Sequence, residues 1–466
     1  MKKSILLAIL LSSVFTCWSQ KDELTREQDS VRQIMEERMK RWEAQRAIYQ
    51  RMYADDPQNA IDSVIAAEKM DNRPMGLNRL ASYQRNERID TLKELNLSYA
   101  GLEEVPAFVF QAKAMEVLIL DYNDIKKLPK ELGELPNLKR VYWRANNLDD
   151  YWWVRIQKMG GIEKLDISNN LLTRLPMGVK NLDGLKELVV DQNFIGEIPV
   201  KRLSKAQTVK TVSFNKSHSM AIQKADYSKL AFLKVLKINN SGIDAIDPSF
   251  YQLDQLDELQ LQENSLTTIP AGISKMENLT KLSFYKNKLE DLPNDLFEMN
   301  LKVIDLYYNN LEVIPETIGN FKDLEILFLA HNRIYSLPET IGQLTRLEEF
   351  YVHHNRLSVL PESVSGLTNL RVARVNDNYL TEFPDQFLGM KSLEDFDVSN
   401  NQLTTLDPGV EQLPSLELFS YQENPIDFQS QENKYVSPMI VRMLDRGVSC
   451  IPRIYQEEVA EQENGR

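Results

Sequence analysis

Cysteine is almost absent: of 466 residues, only Cys17 and Cys450 carry a thiol. A framework of internal disulfides is therefore excluded, and stability must come from packing. No run reaches the roughly 18 apolar residues that a helix needs to cross a bilayer. Dense clusters of Lys and Arg are missing, and the formal net charge is −13. Nucleic-acid binders and proteins that bind anionic membranes carry the opposite pattern. Catalytic signatures are missing too. There is no Walker A loop, no Gly-x-Ser-x-Gly, no His-Glu-x-x-His and no Cys/His zinc spacing. What remains is an acidic chain, 42% hydrophobic and 26% charged, of globular composition.

What the chain has is a repeat. Pro315, Pro338 and Pro361 are spaced by 23 residues, inside the related stretches IPETIGN, LPETIGQL and LPESVSGL. The segments before them, LKVIDLYYNNLEVIP, LEILFLAHNRIYSLP and LEEFYVHHNRLSVLP, follow the pattern Leu-x-x-Leu-x-Leu-x-x-Asn-x-Leu. Aligning the chain on this pattern gives fifteen units with a pitch of 22 to 24 residues. Twelve carry Asn at the turn: Asn123, Asn146, Asn170, Asn193, Asn264, Asn287, Asn309, Asn332, Asn355, Asn378, Asn401 and Asn424. The other three have Ala100, Ser217 and Ser241. In Leu-x-Leu, both leucines point to one face of a short strand. One unit cannot bury them alone, whereas stacked units share a continuous core. After each strand, an Asn side chain can satisfy backbone groups of its own turn and the next, forming a ladder. Pro beyond it blocks helix continuation and suits an extended outer segment.

This pattern resembles the leucine-rich-repeat family over about residues 91–427, and in particular its 23-residue Leu-Pro-x-x-Ile class of bacterial secreted and envelope proteins. The resemblance implies an α/β solenoid: a right-handed horseshoe of about 15 repeats with a concave parallel β-sheet. It also implies that partners bind the concave face. Bacterial leucine-rich-repeat ubiquitin ligases carry a large catalytic domain after the repeats; only about 40 residues follow them here, so no enzymatic activity and no cofactor are expected.

Most units place small polar residues at the variable inward positions, such as Asp166, Ser168 and Asn169. Units nine to thirteen differ: they carry Tyr285, Tyr307, Tyr308, Phe328, His331, Tyr351, His353, His354 and Arg374. Adjacent rungs lie about 4.8 Å apart, so these side chains should touch. Exposed aromatic patches rimmed by charge mark binding sites, and Tyr and Arg are frequent hot-spot residues. Aromatic residues also stabilise strands by stacking, with no ligand involved. The expected function is recognition of a protein or peptide ligand, with a glycan as the main variant. An envelope spacer that assembles through its N-terminal helix is the alternative. A metal-dependent activity at the three histidines, which could hold zinc with an open position, is the third reading, although second-shell carboxylates are not evident from the spacing. Protonation of these histidines near pH 6 is expected to tune binding.

The ends read differently. Residues 1–19 have a basic start at Lys2 and Lys3, a short apolar run and small residues near Ser19, as in a signal peptide. Cys17 as a lipidated terminus is the competing reading, with Phe15 bulky where a lipobox has a small residue. Residues 20–90 read as a helical N-terminal region or cap. Val31, Met35, Trp42, Tyr49 and Met52 fall on one stripe, and a second helix follows a Pro break. Residues 428–466 read as a C-terminal cap, with a short helix over 437–447 and an acidic tail from Glu457. Two units are irregular. Unit three carries Trp152 and Trp153 in place of its Leu-Pro pair. Unit six, with Ser217 at the Asn position, predicts a softer point.

Overall fold

A computed structural model describes residues 57–450, apart from 128, 149–160, 176 and 218–219. The N-terminal stripe helix, Trp152, Trp153, Cys17 and the acidic tail lie outside these residues. The chain divides into two compact units, 1–75 and 76–466. Helix α1 (Pro57–Gln84) is longer than the second helix read from the sequence and continues through Pro74.

The second unit is a solenoid around one parallel sheet of fifteen strands in sequential order. The strands, each of three residues, are β1 (Glu94–Asn96), β2 (Val117–Ile119), β3 (Arg140–Tyr142), β4 (Lys164–Asp166), β5 (Glu187–Val189), β6 (Thr211–Ser213), β7 (Val235–Lys237), β8 (Glu258–Gln260), β9 (Lys281–Ser283), β10 (Val303–Asp305), β11 (Ile326–Phe328), β12 (Glu349–Tyr351), β13 (Val372–Arg374), β14 (Asp395–Asp397) and β15 (Leu418–Ser420). In β11 the central Leu327 is buried and its neighbours Ile326 and Phe328 are half-buried, as alternation along a strand requires. Leu324, Leu327 and Leu329 are all buried, and their counterparts on every rung join one core running from Ile89 to Cys450. Each such side chain contributes about 1.5–3 kcal/mol on burial.

The turn after each strand has two fixed features. The residue before the Asn position takes a left-handed backbone on all fifteen rungs, with φ between 47° and 63°, although none of the fifteen is glycine. The Asn then locks the turn. Asn332 Nδ2 is shared among Leu306 O (2.9 Å) on the preceding rung and Leu329 O (2.9 Å) and Ala330 O (3.2 Å) of its own turn. Its Oδ1 accepts from Leu311 N at 3.0 Å. Buried backbone groups that no strand pairs are thus satisfied. Ser217 does not play this part: its hydroxyl is buried without a hydrogen-bond partner.

The Leu-Pro-Glu-Thr-Ile-Gly stretch forms the outer wall. Pro338 is extended (φ −75°, ψ 154°) and starts a 3-10 turn over Glu339–Gln343 that buries Ile341. A Cβ on Gly342 would meet the Ser363 carbonyl of the next rung, so the outer turns stack closely because this residue has no side chain.

At the first rung, the end of α1 covers the core: Leu80 and Tyr83 pack on it, Arg79 Nη2 donates to Ser98 O at 2.9 Å, and Asn96 N donates to Tyr83 Oη at 3.4 Å. A short helix, α2 (Val200–Leu203), replaces the 3-10 turn after β5. At the last rung, α3 (Val436–Asp445) buries Val436, Met439 and Met443. The chain then returns to the sheet edge, where Ser449 pairs with Leu418 as a parallel bridge.

Candidate functional site

The register places the inward residues of successive strands side by side, in columns. Phe328 of β11 is opposite Tyr351 of β12, which is opposite Arg374 of β13. The Phe328 and Tyr351 rings stack at 4.9 Å and 13°. The Arg374 guanidinium lies 5.5 Å from the Tyr351 ring centroid and pairs with Asp395 at 3.0 Å. Tyr351 Oη donates to Glu349 at 2.8 Å.

A second column follows the strands. Tyr285 and Tyr307 stack at 5.8 Å and 17°. The equivalent residue on the next rung is Ala330, which leaves room for Tyr307 to reach across two rungs. Its Oη lies 3.2 Å from His353 Nε2. The third column is the left-handed turn itself. Tyr308 stacks on His331 (4.1 Å, 19°), and His331 stacks on His354 (4.0 Å, 29°). His354 Nε2 lies 3.4 Å from Asp377, the next residue of that column. A Tyr351–His353 contact at 6.3 Å joins the columns. All nine residues named from the sequence therefore form one cluster.

Its exposure differs from the sequence reading. The rings cover one another: His353 is only 4% exposed and the other eight are half-buried. His353 is therefore almost wholly covered, with Tyr307 Oη against its Nε2. For His331 and His353 the expected titration near pH 6 is also corrected. Burial, and then the neighbouring His354, push His331 down to about 3. Burial, followed by His354, His331 and Arg374, holds His353 well below its ordinary range. Both imidazoles are neutral at pH 6, because charging them would place cations in a poorly solvated stack. Nor do the imidazoles converge as metal ligands. His331 and His354 lie face to face, and among the described residues no group of three or more His, Cys, Asp or Glu side chains is arranged to hold an ion.

A polar chain leads into this cluster and was missed in the sequence. Asp191 accepts from the Ser213 hydroxyl (2.5 Å) and from Asn215 N (2.8 Å). Asn215 Oδ1 accepts from Asn239 N, and Asn239 Oδ1 accepts from Gln262 N, each at 2.8 Å. Gln262 Nε2 donates to Ser283 Oγ, which donates to Asp305. Asp305 in turn accepts from Tyr307 N at 3.1 Å. Burial raises the pKa of Asp191 and Asp305, and these hydrogen bonds oppose the rise. The signal was the recurrence of Asp191, Asn215, Asn239 and Gln262 at one inward position of successive units.

Comparison with known proteins agrees with this architecture. Residues 232–289 and 277–334 match the leucine-rich-repeat family. The volume-regulated anion channel subunit LRRC8B of Homo sapiens is 29% identical over 229 residues, 49% of this chain and 24% of that protein. Podocan-like protein 1 of Homo sapiens is 27% identical over 190 residues, 40% of this chain and 32% of that protein. The chain thus spans a quarter to a third of the length of these relatives. Among solved structures, a leucine-rich-repeat protein of Leptospira interrogans superposes with a TM-score of 0.62 at 24% identity, covering 80% of this chain and 98% of its own. The functional domain of InlJ from Listeria monocytogenes, which includes a cysteine ladder, gives 0.54 at 20% identity, covering 72% and 70%. The shared feature is the fold: this chain is a leucine-rich-repeat solenoid.

Proposed function

We propose that this solenoid is an exported, non-enzymatic recognition protein of the bacterial Leu-Pro-x-x-Ile type, and that it binds a protein or peptide on its concave face at β9–β13. The observation that carries this reading is the gathering of nine aromatic, imidazole and guanidinium side chains on consecutive rungs. Rings of this kind supply large contact area at low entropy cost and act as hot spots.

Ring orientation favours a peptide over a glycan. In the near-parallel stacks on adjacent rungs, ring faces are covered by their neighbours. A sugar would need open faces. Ring edges carry positive partial charge and suit carbonyl and carboxylate oxygens, which a polypeptide supplies at every residue.

The test uses two baits on extracts of the cell envelope and culture medium: the wild-type chain, and one with Phe328→Ala and Tyr351→Ala whose unfolding midpoint is checked. A partner held by the first and lost by the second supports the patch. Equal capture by both sinks it. If the rings serve only the sheet, the second bait loses stability and keeps its partner.

A further inference from the structure

On the flank beyond the turn, the same rungs carry a second surface. Of five large apolar side chains that the described repeats expose, four lie here on consecutive rungs: Val313 (47%), Tyr335 (53%), Val359 (65%) and Tyr379 (52%). Two rows of charge run beside them. Lys288, Arg333 and Arg356 occupy the first position after the Asn turn on three of four successive rungs. Glu290, Asp291, Glu312 and Glu382 occupy positions two or three residues further on. An open cavity of about 580 Å³ lies between the rows, lined by residues of both, including Asp291, Glu312 and Arg333.

These charges have no partners. Elsewhere on these rungs, exposed charges pair across the repeat, as in Lys302–Glu325 (2.8 Å) and Arg371–Glu394 (2.8 Å). None of the seven flank residues makes an ion pair or side-chain hydrogen bond among the described residues. Arg333 and Arg356 occupy equivalent positions on neighbouring rungs, whose backbones are about 5 Å apart by the strand spacing. An opposing surface of reversed order would pair each row with its opposite charge.

We propose that this flank binds a second copy of the chain in an isologous dimer. A two-fold axis normal to the surface reverses both the order of the rungs and the order of the rows. Each cationic row then faces the partner's anionic row: Arg356 meets Asp291, and Arg333 meets Glu312. Lys288 lies over Val359. Such a surface is complementary to itself, with the exposed Val313 and Tyr335 on the two rungs nearest the axis. The concave patch stays open in this arrangement, so the dimer does not depend on the peptide-binding reading.

Sedimentation velocity on the full chain tests this with charge swaps. The wild type is expected to dimerise at about 10–100 µM. Arg333→Glu with Arg356→Glu, and separately Asp291→Lys with Glu312→Lys, should each weaken association at least tenfold. An equimolar mixture of the two variants should dimerise again, because each reversed row then meets a reversed partner. Lys126→Glu with Lys127→Glu, the same charge change on a distant rung, should leave dimerisation intact. A monomeric wild type, swaps without effect, or a mixture that stays monomeric would each overturn the proposal. Association through the N-terminal region would survive both swaps and would also overturn it.

Discussion

Asn332 ties four backbone groups with one amide; its loss leaves the buried Leu311 N–H without a partner, while the three carbonyls keep Asn309 Nδ2, Asn355 Nδ2 and Tyr308 N as donors. Asn332→Ala should cost about 1–3 kcal/mol, measured by denaturant unfolding. The reverse change is available at Ser217, whose hydroxyl bonds nothing. Ser217→Asn should rebuild the turn and raise stability by about 1 kcal/mol; an unchanged or lower midpoint would mean that the rung cannot accept the longer side chain. His331 makes a pH prediction. Its folded pKa lies at about 3, below the unfolded value near 6.5, so the unfolded chain takes the proton first. The stability due to neutral His331 is fully present above about pH 6.5 and is lost as pH falls towards 3. Unfolding measured between about pH 4 and 6 should show a slope up to about 1.4 kcal/mol per pH unit shallower in His331→Phe than in the wild type.

Strands, outer turns and Asn turns follow from local rules, and the sequence made them legible. Leucine spacing sets the strand, Pro338 sets the extended entry to the outer turn, and Asn332 closes the inner one. What stayed hidden depends on contact between units. Nothing in the string HHN says that His353 sinks beneath the patch while His354 stacks at the edge. That split arises because His354 is the left-handed residue of its turn and because Tyr307 leans over Ala330. The close stacking of the outer turns is also a property of pairs. Gly342→Ala would drive a methyl into the Ser363 carbonyl, while Gly389 has open space around its Cβ position. Gly342→Ala should lower the thermal midpoint by several degrees, corresponding to about 2 kcal/mol or more, and Gly389→Ala should change it little.

At the scale of the second unit, the solenoid is a continuous core closed at its first rung by Leu80 and Tyr83 and at its last by α3 and the Ser449 bridge. Within this even scaffold, the surfaces proposed for binding lie where evenness fails. The aromatic cluster and the exposed flank share β10–β13, on opposite sides of one row of turns. The repeats account for the scaffold, while the ligand follows from side chains that the scaffold does not specify. The most direct test is amide hydrogen exchange of the chain with and without the captured partner. The account expects protection concentrated in residues 281–288, 303–310, 326–333, 349–356 and 372–379, with the rungs of β1–β5 unchanged. Protection confined to other rungs, or none at β9–β13 while the partner is bound, would contradict it.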